Sequence, residues 1–180
     1  MQTMPIRSAR LELTPLCVAD ADEMVTVLSD PTLYRFTGGE PPTSDQLVRR
    51  YTAQVTGPPA GSVEEWHNWI IRTVRGGPAV GYVQATVADG GRHAEIAWVV
   101  GAAFQGHGYA SEAASAMVGA LVGEGVTEIV AHIHPDHAAS NAVASRVGLQ
   151  PTERLVDGER EWRLVLRESD ETPERPLSIV

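Results

Sequence analysis

The feature that most constrains this chain is a strand-like segment that runs into a glycine-bearing loop and then into a helix. The centre of the segment reads Gln105-Gly106-His107-Gly108-Tyr109-Ala110. Glycines at positions 106 and 108 let main-chain N–H groups turn toward one point without obstruction by a Cβ atom, and the helix amino terminus adds partial positive charge. The segment therefore predicts an anion site that suits a pyrophosphate.

Two other phosphate-binding loops do not fit this segment. The dinucleotide-binding pattern needs three glycines after a parallel strand, and the P-loop pattern needs a lysine followed by serine or threonine. The chain contains no lysine, which excludes the P-loop.

The hydrophobic pattern predicts one mixed α/β domain. Period-two segments indicate strands, and apolar residues at helical spacing between capping residues and glycine or proline indicate helices. The predicted strands are 10–16, 66–74, 79–88, 93–100, 127–133, 150–156 and 159–166. The predicted helices begin at Asp20 or Asp22, at Thr43 or Ser44, at Gly108 and at Ala138, the last capped by Asp136.

Turn sequences and apolar runs predict how these strands pair. The three middle strands are joined by tight-turn sequences, which predicts an antiparallel meander. Strand 127–133 is almost continuously apolar, which predicts burial on both faces and parallel pairing. The sheet is therefore expected to be mostly antiparallel.

Length and composition set the domain organisation. A chain of 180 residues, 43% of them hydrophobic, has the core of a single domain, which we assign to residues 1–168. Charge and proline replace periodicity in residues 169–180, which predicts a flexible tail. The sequence has neither a signal-peptide pattern nor an apolar run of the roughly 20 residues that a membrane span needs, which predicts a cytoplasmic protein. Cys17 lies in an apolar context that predicts a buried structural thiol.

The charge balance limits the partners. A net charge of -9 disfavours nucleic acid, because binding a polyanion needs clustered cations. We expect no nucleic-acid partner and no membrane partner, whereas a cationic substrate would be attracted.

The loop motif resembles that of the GNAT superfamily of acetyltransferases. The family signature Gln/Arg-x-x-Gly-x-Gly/Ala is met by Gln105, Gly108 and Ala110. The chain is most similar to the Rim-type branch, which reads Glu-Ile-Gly-Tyr before the loop and Gly-x-Gly-Tyr-Ala-x-Glu-Ala within it. Here the corresponding segments are Glu95-Ile96-Ala97-Trp98 and Gly106-His107-Gly108-Tyr109-Ala110-Ser111-Glu112-Ala113. The element order matches the family from Arg10 to Leu166.

This resemblance implies a fold and a cosubstrate. The fold would be a centrally splayed, mostly antiparallel sheet of about seven strands flanked by about four helices. The cosubstrate would be acetyl-CoA, and no metal would be required. The N–H groups of the loop would hold the pyrophosphate, and the end of the preceding strand would pair with the pantetheine arm. The cofactor-binding residues implied in this way are Val99, Val100, Gln105, Gly106, His107, Gly108, Tyr109, Ala110, His137 and Ser140.

A second family element is Asn-x-x-Ser-x-x-Val, located eleven residues before Gly-Phe or Gly-Leu. The chain has His137, Ser140 and Val143 in this register before Gly148-Leu149, so histidine replaces asparagine. In related enzymes the serine is proposed to protonate the leaving thiolate. Ser140 can do this, or it can simply satisfy a free N–H group in the first helical turn.

Three residues are the candidates for catalysis: Glu95, Ser140 and His137. Amine acetylation needs a neutral amine, so a carboxylate or imidazole must accept a proton. Glu95 is the first candidate base, although it can also be an exposed strand residue without a role. His137 is the second, or it merely replaces the asparagine hydrogen bond. The tyrosine that the family often uses as an acid is absent after Gly148.

The predicted activity is direct transfer of acetyl from acetyl-CoA to a primary amine in a ternary complex. The acceptor can be a protein N-terminus, an antibiotic or a polyamine-like metabolite, and Tyr34 and Phe36 fall where the family builds its acceptor pocket. The alternative is a non-catalytic acyl-CoA-binding module. A zinc site at His132, His134 and His137 is disfavoured, because no cysteine or carboxylate pair completes it. A homodimer is suggested by the family likeness alone.

Overall fold

The computed structural model describes residues 3–74 and 76–166. The predicted tail, residues 169–180, lies outside the described residues. The strands are β1 (Ile6–Arg7), β2 (Leu11–Pro15), β3 (Glu65–Thr73), β4 (Ala79–Ala88), β5 (His93–Val100), β6 (Glu128–Ile133), β7 (Gln150–Val156) and β8 (Glu159–Val165). The helices are α1 (Ala21–Val27), α2 (Ser44–Thr56), α3 (Tyr109–Gly123) and α4 (Ala138–Arg146).

All eight strands belong to one sheet, in the order β1-β2-β3-β4-β5-β6-β8-β7. Every neighbouring pair is antiparallel except β5 and β6. The predicted mixed α/β class, the meander and the parallel pairing of β6 are therefore confirmed. The one strand that the sequence did not predict is β1, whose two residues are too short to show a period of two.

The sheet splits between β5 and β6. β5 pairs with β4 along its whole length, from Ala88↔His93 to Gly81↔Val100. With β6 it pairs only from His93↔Glu128 to Glu95↔Val130. In the described chain, residues 96–100 therefore have no strand partner on the β6 side, and a wedge opens between the two strands.

The two faces of the sheet carry different helices. Alternation along β4 and β5 points Val83, Ala85 and Ile96 into the core cluster that also contains Met117 and Leu121 of α3. A second apolar cluster packs α1 and α2 against the opposite face, and it contains Met24, Leu47, Tyr51 and Ile70.

Local capping confirms one predicted helix start and corrects another. Thr43 caps α2, since its hydroxyl accepts the N–H of Gln46 while the Gln46 side chain accepts the N–H of Thr43. The predicted cap of α4, Asp136, is wrong. The cap is His137, whose Nδ1 accepts the N–H of Ser140 at 3.5 Å, whereas Asp136 uses its own N–H to bond His134.

Two further sequence predictions concern exposure. Cys17 is exposed, contrary to expectation, because it lies on the turn before α1, where its N–H donates to Asp20. Within the residues described, no helix combines the length and the apolar character that crossing a bilayer would require.

A single glycine permits the close approach of β4 to the end of β5. A Cβ atom on Gly81 would collide with the carbonyl oxygen of Val99 and lie 2.9 Å from the Cα atom of Val100. Because these are backbone atoms, they cannot move aside by a change of rotamer. We expect Gly81→Ala to lower the free energy of unfolding by about 1–3 kcal/mol.

The matched control is Gly119→Ala within α3, where the added Cβ would meet nothing within 4 Å. Alanine is the better helix former, so this variant should be neutral or up to about 1 kcal/mol more stable. Urea unfolding measures both variants. Equal stability of the two variants would contradict the close approach of β4 to β5.

Candidate active site

The loop between β5 and α3 presents a row of unpaired main-chain donors. Gly106 and Gly108 both have a φ of 78°, in the left-handed region, and α3 begins directly afterwards at Tyr109. The N–H groups of residues 106–111 have no acceptor in the described part of the chain, and the first N–H to be bonded again is that of Glu112, to the carbonyl of Gly108. Such a row at a helix amino terminus binds anions.

Gln105, the first residue of the predicted loop, differs from those that follow. Its N–H donates to the carbonyl of Ala102 at 3.3 Å, and its side-chain Nε2 donates to the carbonyl of Val100 at 3.1 Å. The residue thus fixes the loop to the end of β5, and its own N–H is not free. The unpaired row consists of Gly106, His107, Gly108, Tyr109, Ala110 and Ser111.

A carboxylate clamp that the sequence did not reveal holds the row in place. Glu112 accepts hydrogen bonds from the Ser8 hydroxyl at 2.7 Å, from the N–H of Arg10 at 2.8 Å and from Nε of Arg10 at 2.7 Å. Nη1 of Arg10 also donates to the carbonyl of His107 at 3.1 Å, and its guanidinium lies 5.2 Å from the centre of the Tyr109 ring. The start of β2 and the start of α3 are thereby joined.

The same contacts set the charge of the clamp. Burial alone would raise the pKa of Glu112, but the hydrogen bonds from Ser8 and Arg10, together with the charge of Arg10, lower it below the ordinary value of 4.5. Glu112 belongs to the loop motif that resembles the GNAT family, so the sequence does single it out. Its partners, Ser8 and Arg10, lie about 100 residues earlier in the chain, and no sequence motif links them to Glu112.

The edge of β5 forms one wall of the wedge. The N–H of Gly101 donates to the carbonyl of Val80, so alternation directs the main-chain groups of Val99 toward β4 and those of Ile96, Trp98 and Val100 toward the wedge. Of the two residues expected to pair with pantetheine, Val100 therefore faces the wedge. Val99 is paired with Tyr82.

The opposite wall is the turn from β6 into α4. His137 stacks on Phe36 with ring centroids 4.5 Å apart, and Phe36 also lies 5.3 Å from the ring of His134. Burial, and then the charge of His134, lowers the pKa of His137. The lowered pKa favours the neutral ring, whose Nδ1 accepts the N–H of Ser140 as an asparagine oxygen would. The hydroxyl of Ser140 has no hydrogen-bond partner among the residues described.

Glu95 lies where β6 departs from β5. Its side chain is 56% exposed, and Oε1 lies 3.0 Å from Nδ1 of His132 on β6. His132, His134 and His137 do not converge on one point. Across the described residues, no group of three histidine, cysteine, aspartate or glutamate side chains is arranged to hold a metal ion.

A small polar cleft lies between α2 and the face of the sheet that carries Glu95. Its volume is about 60 Å³, enough for a few water molecules. Gln84 on its floor is the cross-strand partner of Ala97, one strand from the wedge. The hydroxyl of Tyr51 is buried there without a partner in the described chain. The residues that line the cleft are Leu16, Arg50, Tyr51, Gln54, Asn68, Trp69, Ile70, Tyr82, Val83 and Gln84.

The family resemblance places Tyr34 and Phe36 at the acceptor pocket. Tyr34 does not line this cleft, since its hydroxyl donates to the carbonyl of Leu28 at 2.9 Å, and Phe36 covers the two histidines of the opposite wall. In the sequence, Tyr51 fits the apolar stripe of α2 and gives no sign of a polar role. The period-two pattern does put Asn68 and Gln84 on the face of Glu95, and this signal could have been used.

Comparison with known proteins gives a family and a fold. The sequence profile of the family described as "Acetyltransferase (GNAT) domain" matches residues 10–150. A comparison with curated protein sequences finds no match.

Three solved structures illustrate the likeness. An acetyltransferase from Salmonella typhimurium that modifies the N-terminal serine of ribosomal protein L7/L12 is 16% identical, with a TM-score of 0.73, over 91% of this chain and 100% of that chain. RimL, a ribosomal L7/L12 α-N-protein acetyltransferase in complex with coenzyme A, is 16% identical, with a TM-score of 0.73, over 91% of this chain and 98% of that chain. The microcin C7 self-immunity acetyltransferase MccE, in complex with acetyl-CoA and AMP, is 16% identical, with a TM-score of 0.73, over 88% and 94%. At these identities the likeness shows the fold.

The carboxylate clamp predicts a pH dependence of stability. Because the folded-state pKa of Glu112 is lowered, its contribution is fully present above about pH 4.5 and is lost as the pH falls through the folded-state value. Glu112→Gln should therefore lower the free energy of unfolding by about 1–3 kcal/mol at neutral pH. The difference in free energy of unfolding between this variant and the wild type should become smaller as the pH falls below 4.5. Urea unfolding of the wild type and the variant between pH 3 and 7 measures this difference. The control Glu40→Gln, at an exposed position, should stay within about 0.5 kcal/mol. A gap for Glu112→Gln that stays constant with pH would contradict the clamp.

Proposed function

Because the chain belongs to the GNAT acetyltransferase family, we propose that it transfers the acetyl group of acetyl-CoA to the amino terminus of a peptide or protein. The observation that carries the proposal is the row of unpaired N–H groups from residue 106 to residue 111, beside a strand edge that has no strand partner at Trp98 and Val100. The first feature fits a pyrophosphate, and the second fits a chain of amide groups such as pantetheine.

The two features divide the cosubstrate between them. The N–H groups of residues 106–111 hold the pyrophosphate, and the clamp of Glu112 and Arg10 keeps the row rigid. The main-chain groups of Trp98 and the N–H of Val100 face the wedge and pair with the pantetheine arm, which leads the thioester toward Glu95. The carbonyl of Val100 is already bonded to the side chain of Gln105. Acetyl-CoA supplies an activated acyl group, and the residues of the chain orient it and move the protons.

The chemistry requires one proton acceptor and one proton donor. Glu95 accepts a proton from the ammonium group of the acceptor, directly or through water, and the neutral amine then attacks the thioester carbonyl. The C–N bond forms as the C–S bond breaks, and the nitrogen then loses its second proton to water to become the amide. The thiolate takes a proton from the hydroxyl of Ser140, which regains one from water. His137 caps α4 and shapes the wall, since its Nδ1 is already used as a hydrogen-bond acceptor.

The cleft beside α2 supports a peptide as the acceptor. The amide side chains of Gln54, Asn68 and Gln84 and the buried hydroxyl of Tyr51 can bond the carbonyl and N–H groups of a peptide. Arg50 is the charged residue that lines the cleft, and the lining contains no carboxylate, which disfavours a polyamine. The similar Salmonella typhimurium enzyme modifies an N-terminal serine of a ribosomal protein.

Peptide acetylation tests this assignment. Peptides that begin with Ser or Ala should be acetylated with a kcat/KM about tenfold or more above that of peptides that begin with Trp, and spermidine should be a poor acceptor. Glu95→Gln should lower kcat about 10²-fold or more while the Kd for acetyl-CoA stays unchanged. Glu40→Gln is the matched control.

Two results would count against the proposal. Preferred acetylation of spermidine would overturn the peptide assignment and retain acetyl transfer. Tight binding of acetyl-CoA, with no acetyl transfer to any amine and a slow thioester hydrolysis that Glu95→Gln leaves unchanged, would favour a non-catalytic binding module.

A further inference from the structure

We propose that His132 is a positioning residue that holds the carboxylate of Glu95 at the mouth of the wedge. The inference rests on the proposed function, in which Glu95 accepts the proton of the amine. His132 itself is placed to act on Glu95 and contacts neither the unpaired N–H row nor the α2 cleft.

The contact between the two side chains spans the point where the sheet opens. The last register pair between β5 and β6 is Glu95↔Val130, and His132 follows Val130 by two residues on the same face of β6. Nδ1 of His132 lies 3.0 Å from Oε1 of Glu95, within hydrogen-bond distance. The imidazole thus restrains a carboxylate that is otherwise 56% exposed and free to rotate into solvent.

The far side of the imidazole faces a buried carboxylate. Glu161 on β8 is the register partner of His132, and its side chain is only 4% exposed. Its Oε2 lies 4.0 Å from Nε2 of His132, too far for a hydrogen bond. Arg163 binds the other oxygen of Glu161 at 2.8 Å, and Arg154 lies 3.3 Å from Oε2.

This arrangement determines what the imidazole does. Glu95 is a carboxylate when it is ready to accept a proton, so His132 must donate Nδ1–H to it, and the ring therefore carries a proton on Nδ1. A fixed donor on one oxygen leaves the other oxygen of Glu95 to face the amine. Restraining a base in this way reduces the entropy lost on reaching the transition state.

A second histidine–carboxylate contact, between His93 and Glu128, is not placed to position Glu95 and so provides a matched control. His93 on β5 contacts Glu128 on β6, with Nδ1 3.3 Å from Oε2, and these residues are register partners on the same face of the sheet. Here the two strands are still paired, and the contact lies two residues before Glu95, away from the wedge. His93→Leu therefore removes a similar histidine–carboxylate contact from the same face.

The test compares five variants by steady-state kinetics with acetyl-CoA and a peptide that begins with serine. His132→Leu should lower kcat about tenfold or more, with the KM for acetyl-CoA within about twofold of the wild type. His132→Asn keeps an N–H donor near the position of Nδ1 and should recover most of the loss. His93→Leu should keep the wild-type kcat. Glu95→Gln combined with His132→Leu should be no slower than Glu95→Gln alone, because both changes remove the same function.

The outcomes separate the inference from the proposed function. A kcat for His132→Leu equal to that of His93→Leu would overturn the inference, as would an asparagine variant no better than the leucine variant, or fully additive losses with Glu95→Gln. A wild-type chain that acetylates no amine would instead overturn the proposed function. Recovery by asparagine also shows that a loss in the leucine variant is not a failure to fold.

Discussion

The separation of β5 from β6 is the constraint on which the rest of the structure depends. Parallel pairing ends at Glu95↔Val130, and beyond that point β5 keeps only β4 as a neighbour. A strand edge with free main-chain groups is normally a liability, because it invites another strand. Here the edge forms one wall of the wedge and faces the turn from β6 into α4, so what it can pair with is an extended ligand made of amide groups.

The elements around the wedge keep it open from both sides. On one side Gly81 lets β4 approach the end of β5, and Gln105 joins the loop to Val100. On the other side Phe36 stacks on His137 and so supports the turn into α4. The contact between His132 and Glu95 closes its inner end. The row of unpaired N–H groups follows one end of this open strand edge, the candidate base lies at the other end, and the polar cleft lies one strand away.

Most of the fold could be predicted from the sequence, because period and turn chemistry are local signals. Strands such as 79–88 and 93–100 have the bounds that alternation and the intervening glycines predicted. The loop could be predicted as well, since the glycines at 106 and 108 favour the left-handed conformation found there. Two local predictions were wrong, Asp136 as the cap of α4 and Cys17 as a buried thiol, because each depends on which neighbouring group takes a hydrogen bond.

The contacts that shape the site could not be predicted in the same way. Arg10 and Glu112, or His132 and Glu161, are distant in the chain and meet only through sheet register and helix docking. The sequence offered Glu112 within a motif and His132 within a histidine cluster, but neither pattern names a partner. The cleft beside α2 was missed because Tyr51 fits an apolar helical stripe equally well, and only its buried, unpartnered hydroxyl distinguishes it.

The most direct test of the account is amide hydrogen exchange, measured by NMR, at residues 106–111 with and without acetyl-CoA. At a free concentration about 100 times the Kd, exchange at these amides should slow roughly hundredfold, because only the unbound protein exposes them. Gly108→Val should abolish the protection. Gly125→Val should retain it, since Gly125 also has a positive φ, of 97°, but lies beyond the other end of α3. Unchanged exchange at residues 106–111 in the wild type, with acetyl-CoA bound, would contradict the assignment of this row as the cofactor site.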